Sequence, residues 1–163
     1  VYNSGVGNII KKPRKTMAGA KIIFLDFDDV LNTPKTLERG ELFEQVNIQN
    51  LNDILDRIDA KIVVTSTWRL ATTPDELEQI LLGAGIHARG RVAGVTPWLP
   101  DYPRGDEIKA WFQETRTPVE AFAILDNRDD MGSFAPFLVQ TDPRFGLVPE
   151  QVDQVMGLLG STI

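Results

Sequence analysis

The chain contains no cysteine, which excludes disulfides, thiolate metal sites and a cysteine nucleophile. It has one histidine, His87, so a histidine-based metal centre lacks a second ligand of its kind, and His87 is read as structural. No apolar run approaches the ~20 residues that a bilayer span requires. No apolar segment follows the basic start, so no signal peptide is expected either. A reducing cytoplasm is the simplest setting for a cysteine-free chain. Internal repeats and low-complexity segments are also missing.

The 163 residues, 42% hydrophobic and 25% charged, suit one domain with a substantial core. The net charge of −6 divides unevenly. Residues 1–21 carry Lys11, Lys12, Arg14, Lys15 and Lys21 without an acid, which leaves −11 on the remainder. We therefore expect a basic tail over 1–20 and a folded domain over 21–163. Such a tail suits contact with an acidic partner, a nucleic acid or a membrane surface. Met17-Ala18-Gly19-Ala20 reads as a natural start of translation, and residues 1–16 stand outside the functional argument.

The rest is organised around Lys21–Asn32. Ile22-Ile23-Phe24-Leu25 has the unbroken apolar character of a strand buried on both faces. It runs into Asp26 and Asp28, one residue apart. Carboxylates at the end of a buried strand are costly unless their charge is compensated, and a hard divalent cation such as Mg²⁺ is a natural partner. The plainer reading is a polar strand end with solvated aspartates.

Leu51, Ile54, Leu55 and Ile58 line one face of a helix over about 46–58. The β-branched run Lys61–Val64 ends in Thr65-Ser66-Thr67-Trp68-Arg69. Thr73-Pro74-Asp75-Glu76 opens a helix by a capping box, and Gly83 and Gly85 end it. Ile86–Val95 suggests one or two short strands. The loop Thr96–Pro103, with three prolines and two aromatics, is read as a packed connector, with a substrate-facing lip as the alternative. Arg104-Gly105-Asp106-Glu107 opens a helix burying Ile108, Trp111 and Phe112. Ala121–Leu125 is a buried strand ending in Asp126-Asn127-Arg128-Asp129-Asp130, Phe137–Gln140 a fifth strand, and the helix after Pro149 buries Val152, Val155, Met156 and Leu159. This alternation predicts a three-layer, Rossmann-like α/β fold: a mostly parallel five-stranded sheet with helices on both faces. The acids and hydroxyls that close three strands then converge on one edge.

Together these motifs resemble the haloacid dehalogenase (HAD) superfamily of aspartate-nucleophile phosphotransferases, over about Lys21–Leu159. Leu25-Asp26-Phe27-Asp28 matches the first motif, Val63-Val64-Thr65-Ser66 the second, Arg104 the third, and Ile124–Asp130 the fourth. The resemblance implies Asp26 as nucleophile and Asp28 as general acid and base. It implies Mg²⁺ held by Asp26, Asp28 (through its backbone carbonyl) and Asp126. Asp130 would order the metal waters, with Asp129 as the alternative. Ser66 would bind the phosphoryl group, with Thr65 and Thr67 as neighbours one position away. Arg104 would supply the positive charge, with Lys109 as competitor. Trp68 and Arg69 would stack on a base and hold a further phosphate, or else pack under the next helix and lie in solvent. The short spacings imply no large cap and an open site, similar to the small HAD domains beside nucleic-acid repair activities. The implied function is a Mg²⁺-dependent phosphomonoesterase with a small-molecule or nucleic-acid-end substrate. Two alternatives remain: a phospho-acceptor signalling domain, against which the Asp-x-Asp spacing argues, and a non-catalytic protein retaining the fold.

Overall fold

Ile22, Ile23, Phe24 and Leu25 are all without solvent exposure, as an apolar run without alternation requires of a strand covered on both sides. They form most of β1 (Ala20–Leu25), the central strand. The computed structural model describes residues 19–160. The basic residues Lys11, Lys12, Arg14 and Lys15, and Met17, lie outside the described residues.

The other strands are β2 (Ala60–Val64), β3 (Val92–Val95), β4 (Val119–Asp126) and β5 (Leu138–Gln140). The order is β3-β2-β1-β4-β5, every pair parallel. The helices are α1 (Pro34–Glu38), α2 (Gln45–Arg57), α3 (Pro74–Gly83), α4 (Arg104–Glu114) and α5 (Pro149–Leu159). Helices α2, α3 and α5 cover the face formed by Ile23, Leu25, Ile62, Val64, Ala123 and Leu125. The opposite face, Ile22, Phe24, Val63 and Ile124, is covered by α4 and a 3₁₀ segment, Gly132–Phe137. That second layer is aromatic: Phe24 meets Trp111 edge-on at 5.2 Å and Phe122 at 5.8 Å. The chain is thus a Rossmann-like α/β domain of three layers without a large cap. Among the described residues no helix is long and apolar enough to cross a membrane.

Two local expectations change, and one helix has no counterpart in the sequence reading. Residues 33–40 contain α1, capped reciprocally by Thr33 and Thr36, a box built from threonine where Glu or Gln is the usual signal. Ile86–Val95 yields one strand, which joins the main sheet. Phe137 ends the 3₁₀ segment and packs on Phe122 at 4.2 Å, so β5 begins at Leu138.

The feature that positions the site is the contact between the start of α4 and the turn after β4. Gly105 donates its N–H to the Asp130 carbonyl at 3.0 Å, and a Cβ there would lie 2.3 Å from the Met131 carbonyl oxygen. Only glycine lets the two backbones approach so closely. Gly105→Ala should therefore cost ~1–3 kcal/mol in denaturant unfolding. Gly157→Ala, in α5 with open space around its Cβ, should gain up to ~1 kcal/mol. An unaffected Gly105→Ala would refute the close-approach account.

Candidate active site

Strand order reverses between β1 and β4: the chain runs outward through β2 and β3, then returns to β4 and β5. Ligands of open α/β sheets bind at such a switch point, beyond the carboxyl ends of the strands. The register places Leu25 opposite both Leu125 and Val64. The next residues, Asp26, Asp126 and Thr65, therefore leave the sheet side by side.

Asp26 is 7% exposed and Asp126 fully buried. Asp26 Oδ1 accepts the Phe27 N–H at 2.9 Å, and Asp126 Oδ1 accepts the Arg128 N–H at 3.0 Å. Burial, and then the Asp126 charge, push Asp26 up to about 7, against Arg104 and the Phe27 N–H. Burial also raises Asp126, opposed chiefly by Arg104.

Arg104, 4% exposed, is the counter-charge. Its Nε lies 3.2 Å from Asp126 Oδ2, its Nη2 3.9 Å from Asp26 Oδ2 and its Nη1 3.6 Å from Glu107 Oε1. Nη1 also donates to the Thr65 carbonyl. Lys109, the alternative cation, is exposed, five residues along α4. The site is occupied by the first residue of the helix, and Lys109 is corrected to a surface residue.

Asp28 is half-buried and held from two sides: Oδ1 accepts Asn32 Nδ2 at 3.1 Å, and Oδ2 accepts the Trp68 indole N–H at 3.3 Å. The Trp68 ring packs on Phe27 and Phe43, with centroids at 5.4 and 5.8 Å. Trp68 thus orients Asp28, and its N–H is engaged within the protein instead of facing a base.

Arg69 is a second correction. It is 6% exposed, and its Nε and both amino groups donate to the carbonyls of Thr65, Ser66, Thr96 and Pro97 and to Glu107. With its donors so engaged, it anchors loops and has no N–H left for a substrate phosphate. Asp130 lies at the same edge: its carboxylate accepts the Arg104 backbone N–H at 3.1 Å and pairs with Arg128, so it also caps α4. Asp129, exposed in the same turn, keeps a carboxylate unengaged by these bonds.

Of the hydroxyls, Ser66 Oγ accepts the Trp68 backbone N–H at 3.3 Å and keeps its own proton to donate. Thr65 Oγ1 is buried without a partner, and Thr67 is exposed. Glu107 and Asn32 were not singled out from the sequence. Glu107 lies three residues after Arg104 and Asn32 four after Asp28, helical spacings that put such pairs within reach.

Among the described residues no group of three or more His, Asp or Glu side chains stands ready to hold a metal. The donors at the switch point nevertheless fit a hard cation. They are all oxygen, Asp126 Oδ2 is buried without a hydrogen-bond partner, and two adjoining carboxylates share one guanidinium.

Residues 22–152 match a family model described as the HAD domain in Swiss Army Knife RNA repair proteins. No curated protein and no solved structure matches the chain. Since the family match extends over most of the sequence, the protein belongs to the HAD domains of Swiss Army Knife RNA repair proteins.

Proposed function

We propose that the chain is a Mg²⁺-dependent phosphomonoester hydrolase acting through an aspartyl-phosphate, on nucleotide or nucleic-acid-end phosphates. The observation that carries this reading is the buried Asp26–Asp126 pair at the switch point with the Arg104 guanidinium against both. The family description, with its reference to RNA repair, favours the nucleic-acid substrate, as does an edge without a large cap.

A carboxylate oxygen of Asp26 attacks phosphorus, and the bond from phosphorus to the leaving oxygen breaks. Asp28, protonated, gives its proton to that oxygen. In the second half, Asp28 as carboxylate takes a proton from water, which attacks phosphorus and releases phosphate and Asp26. Arg104 neutralises charge on the phosphoryl oxygens, and Ser66 donates a hydrogen bond to them. Mg²⁺, which Asp26, the Asp28 carbonyl and Asp126 would hold, with Asp130 or alternatively Asp129 ordering its waters, would supply the remaining charge neutralisation. Trp68 and Asn32 keep Asp28 aimed at the leaving oxygen.

Three outcomes follow. Wild type should release phosphate from a 3′- or 5′-phosphorylated oligonucleotide with Mg²⁺ and not with EDTA, and Asp26→Asn should lower the rate by at least ~10³-fold. Mg²⁺-independent release, or an active Asp26→Asn, refutes the mechanism.

Trp68→Phe keeps the ring but removes the donor to Asp28. It should lower kcat about tenfold for an alkyl phosphate, whose leaving oxygen needs a proton, and much less for an activated aryl phosphate. Equal losses would make Trp68 merely structural.

The third outcome concerns pH. Folding raises the Asp26 pKa from 3.8 to about 7, so between these values the native state binds its proton more tightly than the unfolded chain. The contribution to stability is present below pH 4 and lost as pH rises through 7. In EDTA, Asp26→Asn should match wild type near pH 4 and exceed it by ~1–4 kcal/mol at pH 8. Mg²⁺ should narrow that gap by stabilising wild type. A pH-independent difference would contradict the buried-charge account.

A further inference from the structure

The two most exposed aromatic side chains on the 96–103 loop are Trp98, at 57%, and Tyr102, at 60%. A ring left in water on a mobile loop would mean little. This loop is fixed. Pro97, Pro100 and Pro103 restrict its φ angles. Arg69 Nε donates to the Thr96 carbonyl at 2.9 Å and Nη2 to the Pro97 carbonyl at 3.3 Å, while Glu107 accepts the Leu99 N–H at 3.0 Å. Tyr102 N–H closes a turn onto the Leu99 carbonyl at 3.1 Å. The backbone on both sides of Trp98 is thus tied to a buried ion pair, Arg69–Glu107 at 2.6 Å, and the indole is held outward.

Both rings border a cavity of about 70 Å³ that is also lined by Thr67, Arg104 and Arg128. Arg104, whose Nη2 lies 3.9 Å from Asp26 Oδ2, is the side chain that this cavity shares with the candidate active site. The guanidiniums in its lining suit the oxygens of a phosphoryl group, and the two exposed rings at its edge suit a base attached to that phosphate. Its lining sets three arginines against one acid, Glu107, which pairs with Arg69 and Arg104; the exposed Arg128 pairs with Asp130, which does not line the cavity.

We propose that Trp98 and Tyr102 form a stacking rim for the nucleobase next to the phosphorylated end, making them specificity-determining residues. The proposal rests on the phosphatase reading for the location of the phosphate, but its own content is contact with a base. Stacking is tolerant of base identity, so the rim selects a base-bearing phosphate over one without a base, and not one sequence over another.

The test is binding by the full chain carrying Asp26→Asn, so that turnover plays no part. The probes are an oligonucleotide phosphorylated at one end, the same oligonucleotide with an abasic terminal position, the matching mononucleotide, and a phosphotyrosyl peptide. Adding Trp98→Ala or Tyr102→Ala should weaken binding of the base-bearing oligonucleotide about tenfold each. The abasic probe should bind background protein and variants alike, and a terminal 2-aminopurine should be quenched only when Trp98 is present. Equal affinity for base-bearing and abasic probes, or an unshifted Trp98→Ala, overturns the proposal, as does tighter binding of the peptide. Retention by the mononucleotide of the full Trp98 dependence supports a one-base rim, and loss of that dependence overturns it. Base-dependent binding without phosphate release by wild type would refute the hydrolase reading and leave the rim standing.

Discussion

One guanidinium holds the carboxyl edge of this sheet together. Arg104 faces Asp26 from β1, Asp126 from β4 and Glu107 from its own helix, and donates to the Thr65 carbonyl at the end of β2. Each buried carboxylate carries a desolvation penalty of several kcal/mol. Arg69 shares the load at Glu107, but Arg104 is the arginine set against both Asp26 and Asp126, and Asp26 shows the remaining imbalance in its raised pKa. The edge is electrostatically unfinished. It is poised for further positive charge, and the same deficit makes the charge on Asp26 depend on what sits beside it.

Arg104 can occupy this position because α4 starts against the turn after β4. Gly105 permits the contact, and Asp130 caps the first N–H of the helix. A second buried arginine works alongside. Arg69 binds the carbonyls at the ends of β2 and β3 and shares Glu107 with Arg104. Glu107 is therefore central to two arginines and one loop, although its position in the sequence gives it the look of an ordinary first-turn acid.

The layered α/β fold, the central strand, the helix faces and the family were legible in the sequence. These rest on periodicity and on motif order, which local composition carries: Val152, Val155, Met156 and Leu159 are all buried as their spacing requires. What was not legible is where long polar and aromatic side chains end up. Trp68, beside the second motif, suggests stacking on a base or packing under the next helix, and its indole N–H binds Asp28. Trp98, read as a packed connector with a lip as the alternative, is exposed. Lys109 and Arg104 lie on one helix, but only the residue at its start reaches the edge. In each case the outcome is decided by contacts between residues far apart in sequence, such as Arg69 with Pro97 and Glu107, which no local pattern encodes.

An edge without a large cap must achieve by rigidity what a closing lid achieves by motion. The segments after the strands are pinned by buried or half-buried bonds. Asp29 adopts a left-handed backbone, with φ of 66°. Its N–H is held by Asn32, its carbonyl by Thr141 and its carboxylate by Asn127, and so the 26–32 turn is tied to β4 and to the segment after β5. The 96–99 stretch is tied to Arg69 and Glu107. On the proposed phosphatase reading, donors and charges fixed in advance need no reorganisation when charge develops on a phosphoryl group. On that reading an edge without a large cap places no closing element over the substrate, and selection falls on what borders the edge, where the fixed, solvent-facing Trp98 lines one cavity with Arg104.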